Sequence, residues 1–96
     1  MTPVHPGRVL RRELAARSLS ANALALALRV NSGRITEIVN GQRGISPETA
    51  MRLARYFGNE ARFWLNLQIN YELATAEAEF GERIAVDVAP AAGSVR

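Results

Sequence analysis

Cysteine is absent from the 96 residues, and with it any disulfide framework, thiolate nucleophile or cysteine-ligated zinc site. A single histidine, His5, excludes sites that need two imidazoles. Lysine is missing too: all twelve basic residues are arginine. No run approaches the roughly 20 apolar residues of a membrane span, and the N-terminus has no apolar leader core. These absences predict a cytoplasmic chain that works without membrane, metal or cofactor and is poorly equipped for catalysis. What remains, 48% hydrophobic and 22% charged, is the balance of one small globular domain.

The charge is distributed unevenly. Residues 1–58 hold nine arginines against Glu13, Glu37 and Glu48, a net of +6. Residues 59–96 hold Arg62, Arg83 and Arg96 against five glutamates and Asp87, a net of −3. An arginine-rich genome explains the missing lysine but not this asymmetry. A basic first half points to a polyanionic partner, and the acidic second half to a surface with another task.

Helix signals follow at short intervals, and the chain reads as all-α. Pro6 stands where a first turn tolerates proline, and Val9, Leu10 and Leu14 follow at helical spacing until about Ser18. Ser20 is the predicted N-cap of a short second helix with Leu24, Ala25 and Leu28 on its apolar face. Asn31 caps a third, with Ile35, Ile38 and Val39 inside and Gly41 as its stop. Ser46-Pro47-Glu48 supplies a cap, a first-turn proline and an acid at the positive dipole end. That fourth helix buries Ala50, Leu53, Ala54 and Phe57 before Gly58. Asn59 is the predicted cap of a fifth helix running to about Phe80, with Gly81 as its stop. Ile84 to Val88 alternates weakly, and residues 81–96 read as a flexible tail.

The second and third helices carry the functional signal. A DNA-reading helix pair needs a small residue inside its first helix, and Ala25 fills that place. A tight turn, Arg29-Val30, leads into Asn31. With Ile35 and Ile38 inside, the third helix turns Ser32, Gly33, Arg34, Thr36 and Glu37 outward. Most of these are short or forked hydrogen-bonding side chains, suited to base edges in a major groove. Glu37 has two readings: it accepts from a cytosine, or it pairs with Arg34 one turn back. Arg8, Arg11 and Arg12 either flank DNA or solvate the first helix. His5 has no partner acid, nucleophile or ligand and reads as a helix-start residue, while Phe63 and Trp64 read as core.

Four passages resemble the HigA-type antitoxins of the wider Xre, or Cro/repressor-like, helix-turn-helix group. They are HPG at His5 to Gly7, the helix pair itself, RITEIVNGQRGISPETAMRLARYFG from Arg34 to Gly58, and FWLNLQ from Phe63 with Tyr71-Glu72-Leu73 after it. Together they cover about residues 5–74. The resemblance implies a compact five-helix, lambda-repressor-like domain over residues 1–80, its helix pair at about 20–40 and a dimerisation helix at about 60–80. It implies a homodimer on an operator palindrome in double-stranded DNA, and neutralisation of a cognate RelE-like, mRNA-cleaving toxin. By the same resemblance Ser32, Arg34 and Thr36 face bases, and Asn40 and Arg43 take phosphate positions. Three residues depart from the wider pattern: Ala21 replaces a common glutamine, Arg29 a turn glycine, and Gly33 sits inside the recognition helix.

The fifth helix sorts into two apolar stripes at about 100° per residue. Phe63, Trp64, Leu67, Tyr71, Ala74 and Ala78 form the stripe expected to meet the other helices. Leu65, Ile69, Leu73, Ala76 and Phe80 form a second, on roughly the opposite side. A monomer needs only one stripe, so the second predicts the dimer contact, unless residues 84–88 fold back over it. The acids Glu72, Glu77, Glu79, Glu82 and Asp87 offer one surface to a basic toxin, with the first helix as its rival. Two other readings stand beside the antitoxin: a repressor without a toxin, and a protein-interaction adaptor that has lost DNA binding.

Overall fold

Side chains or proline start the first four helices where the sequence signals stand. The computed structural model describes residues 3–92, so the last four residues of the expected tail lie outside it. The His5 Nδ1 accepts from the Gly7 amide at 2.9 Å and opens α1 (Pro6–Ala16). Ser20 and Asn31 cap α2 (Ala21–Leu28) and α3 (Ser32–Val39) through their side-chain oxygens. Ser46 does the same for α4 (Pro47–Phe57), which ends at Gly58 with φ +77°. The last element is α5 (Ala61–Asp87). Among the described residues the fold is all-α, and no helix is long and apolar enough to cross a membrane.

The core draws on every helix. Leu10, Leu24, Ile35, Ile38, Ala50, Leu53 and Trp64 are fully buried, joined by Leu14, Leu28 and Ile45. Ala25 is buried between α2 and α3, as a close helix pair requires. Two glycines stand at close contacts, one with backbone and one with a side chain. A Cβ on Gly7 would stand 1.9 Å from the Ile38 carbonyl oxygen, so α1 crosses the end of α3 backbone to backbone. A Cβ on Gly44 would meet the Gln68 amide at 2.8 Å.

The turn between α2 and α3 carries the strain that its missing glycine implies. Arg29 adopts the left-handed conformation at φ 62°, ψ 44°, where a side chain costs about 1 kcal/mol or more. Its backbone is held there by Val30 N–H donating to the Ala25 carbonyl at 3.0 Å.

The fifth helix departs from expectation in three ways. Gly81 does not stop it, because its φ stays negative, and the helix runs on through Ile84 and Val86 to Asp87. The segment from residue 84 therefore neither forms a strand nor folds back. Asn59 is not its cap; its Oδ1 accepts from the Trp64 indole at 3.0 Å, and Glu60 occupies the cap position without a capping bond. The packed face is also rotated from the predicted stripe. Trp64 and Gln68 are buried, Leu65 and Leu67 are partly buried against the core, and Phe63 and Ala78 are exposed. Gln68 is buried among apolar neighbours because its Oε1 accepts the buried Ile45 amide at 2.7 Å.

Candidate nucleic-acid interface

The outer side of α3 and the loop after it form one continuous surface. Ser32 and Thr36 are exposed on α3, and Asn40, Gln42 and Arg43 are exposed in the loop. Gly33 explains itself locally: its amide donates to Asn31 Oδ1 at 2.6 Å, and a Cβ there would lie 2.9 Å from that oxygen. The glycine lets the cap sit tight over the first turn of the recognition helix. Within the first turn of α3, Asn31 thus engages the Gly33 amide with its side chain and the Arg34 amide with its carbonyl, at 3.1 Å.

Both arginines assigned to the surface make internal ion pairs. Arg43 Nε donates to Glu37 Oε1 at 2.7 Å. This corrects one reading of Glu37, which pairs forward with the loop and not back with Arg34. Loop closure brings the two together: Gln42 N–H donates to the Glu37 carbonyl at 2.8 Å and folds the chain back along α3. Arg34 instead crosses to α4. Its Nη1 lies 3.4 Å from Thr49 Oγ1 and 3.6 Å from Glu48 Oε1, and its side chain is only 28% exposed.

Three further residues organise the surface from other helices. Arg11 reaches from α1 to the end of α3, donating to Asn40 Oδ1 at 3.3 Å and to the Val39 carbonyl at 3.4 Å. It therefore caps a helix C-terminus, where a cation is favoured, and is not simply solvated. Arg52 does the same for α2, donating to the Leu28 carbonyl at 2.8 Å, and also binds Glu48. Glu48 was visible only as a first-turn acid; that it joins two arginines on different helices has no local signature. The loop itself is pinned from beneath, through Ile45 to Gln68 of α5, whose Nε2 donates onward to Glu72 at 2.9 Å.

The Phe63–Trp64 neighbours do not extend this surface. Trp64 is enclosed by Phe57 and its hydrogen bond to Asn59, while Phe63 packs edge-on against it at 5.1 Å. The second apolar stripe of α5 lies elsewhere again. Ile69, Leu73 and Phe80 are 57%, 56% and 40% exposed, Ala76 is exposed between them, and Leu65 turns partly into the core. The exposed strip continues past the predicted end to Ile84, at 55%.

Comparison with known proteins adds to this geometry. The helix-turn-helix model HTH_3 matches residues 10–64. Virulence-associated protein I of Dichelobacter nodosus is 54% identical over 80 residues, 82% of this chain and 74% of that one. A solved addiction module antidote protein of a HigA family from Coxiella burnetii superposes with a TM-score of 0.91 at 43% identity, covering 95% of this chain and all of that one. The Pseudomonas aeruginosa antitoxin HigA, solved with the higBA promoter, superposes at 0.89 with 48% identity over 92% and 97% of the two chains.

Proposed function

Because this chain belongs to the HigA family of helix-turn-helix antitoxins, we propose that it represses its own operon as a sequence-specific DNA-binding dimer and neutralises a cognate RelE-like, mRNA-cleaving toxin. One observation carries the DNA part: α3 presents Ser32 and Thr36 to solvent beside a loop that holds Asn40 and Arg43 on the same surface. On this reading Ser32, Gly33, Arg34, Thr36 and Glu37 meet base edges, and Asn40 and Arg43 meet phosphates. The likeness to an antitoxin solved with its promoter supports that assignment.

The exposed side of α5 supports the dimer in this reading. Leu65, Ile69, Leu73, Ala76 and Phe80, extended by Ile84, form an apolar strip of a kind soluble monomers rarely leave uncovered. A two-fold pairing of this strip would set two recognition helices for successive turns of a palindrome, about 34 Å apart. The acidic outer part of α5, with Glu77, Glu79, Glu82 and Asp87, is the surface assigned to a basic toxin by charge complementarity.

The test is a pair of variants on two DNAs, one taken from the chain's own promoter and one scrambled. Arg34→Ala should weaken the promoter fragment by about 1–3 kcal/mol and the scrambled fragment far less. Arg43→Ala should weaken both alike and flatten the salt dependence by about one unit. Equal losses for Arg34→Ala would make it a phosphate contact. Co-purification with the product of the neighbouring reading frame tests the toxin.

A further inference from the structure

The arginine assigned to a base edge is held by a different helix. Arg34 lies between Glu48 Oε1 at 3.6 Å and the Thr49 hydroxyl at 3.4 Å, both at the start of α4. Thr49 is 3% exposed, and its amide and hydroxyl both bond the Ser46 cap, so this end of α4 is rigid. Glu48 is anchored from its other side. Arg52 binds its Oε2 through Nε at 3.0 Å and Nη2 at 2.9 Å, and Arg52 is itself tied to the Leu28 carbonyl at 2.8 Å. The carboxylate thus stays with α2 and α4 when Arg34 moves.

We infer that Glu48 is a specificity-determining positioning residue, which holds the Arg34 guanidinium against α4 and gives it up only to a base edge. The inference rests on the DNA-reading assignment above. Its physics is an exchange. A phosphate offers Arg34 only one anion in place of the one it already has. A guanine edge offers two acceptors in the fork geometry of a guanidinium, which the single Glu48 contact does not match. Release is therefore poorly rewarded on random DNA and well rewarded at a matching base. Glu48 lowers non-specific affinity more than operator affinity, and the ratio between them rises.

The experiment measures binding of a promoter duplex and a scrambled duplex of equal length across a salt series. Wild type, Glu48→Gln, Glu48→Asp, Arg34→Ala and the Arg34→Ala/Glu48→Gln double variant are compared, each checked for an unchanged melting transition. Glu48→Gln should tighten scrambled DNA about threefold, steepen its salt dependence by about one unit, and lower the promoter-to-scrambled ratio. Glu48→Asp, which keeps the charge but withdraws it by one methylene from a 3.6 Å contact, should fall between wild type and Glu48→Gln. In the Arg34→Ala background the gain on scrambled DNA should vanish. A gain that persists there would mean simple loss of repulsion and overturn the inference, as would an unchanged ratio for Glu48→Gln. If wild type itself does not discriminate between the duplexes, the DNA-reading assignment falls, and this inference with it.

Discussion

The residues up to Gly58 and the helix that follows are built to different degrees of completion. Every fully buried aliphatic side chain of the core lies before Gly58, and α5 adds Trp64 and Gln68 as its buried residues. The ion pairs among the described residues also lie entirely between residues 13 and 52, where Glu13, Glu37 and Glu48 each meet an arginine. Beyond Ala74, by contrast, α5 leaves nearly every side chain exposed, and the molecule is 54 Å long but only 22 Å wide. A 27-residue helix spans about 40 Å, roughly twice what the packed unit is wide. The first region holds nearly all of the buried core and pairs each of its glutamates with an arginine. The second attaches by its first three turns and leaves the rest exposed.

One substitution made in both regions gives the largest contrast. Gly7→Ala forces α1 off the Ile38 carbonyl and should destabilise by about 3 kcal/mol or more, read by chemical denaturation. Gly81→Ala meets nothing within 4 Å and should stabilise the helix by up to about 1 kcal/mol. A damaging Gly81→Ala would show that the outer part of α5 is already tightly covered. Next comes Ile69→Asp on the exposed strip. Sedimentation should find a folded monomer, and promoter affinity should fall about tenfold or more, as when one of two linked half-sites is lost. An unfolded product would place Ile69 with the core and erase the contrast.

The smallest effect lies where the two regions touch. The His5 ring packs edge-on against Tyr71 of α5 at 4.8 Å while its Nδ1 accepts the Gly7 amide. Burial lowers its pKa below the ordinary 6.5, since the charged form is poorly solvated there. The unfolded chain then takes up the proton first. The stability is present above about pH 6.5 and is lost as the pH falls through that value toward the folded one. A small loss of stability on the acid side should appear in melting curves and disappear in His5→Asn, which caps without titrating near neutrality.

The boundaries of the first four helices were legible because their signals are local. Ser20, Asn31, Ser46 and Gly58 act within a few residues of where they stand. Gly81 was misread because glycine ends a helix only when the chain turns left-handed there, as it does at Gly58 and not at Gly81. Asn59 was misread, and Gln68 passed over, for a common reason. Each has a polar side chain whose partner, the Trp64 indole or the Ile45 amide, is supplied by packing and not by helical period. The same holds at the candidate site. Helical geometry located the α3 face, with Ser32 and Thr36 outward and Ile35 and Ile38 inside. It gave no hint that Arg34 would turn to α4 or that Arg43 would reach Glu37.

The bond from Gln68 to Ile45 constrains how such a surface can be redesigned. A side chain at position 44 would push the Gln68 amide aside and orphan the buried Ile45 N–H, while a shorter residue at 68 orphans the same group directly. Positions 44 and 68 therefore behave as one variable, with strongly non-additive substitutions. A library that randomises the loop around Arg43 while holding α5 constant explores only the fraction of sequences compatible with this glutamine. Retargeting the loop begins on the other helix.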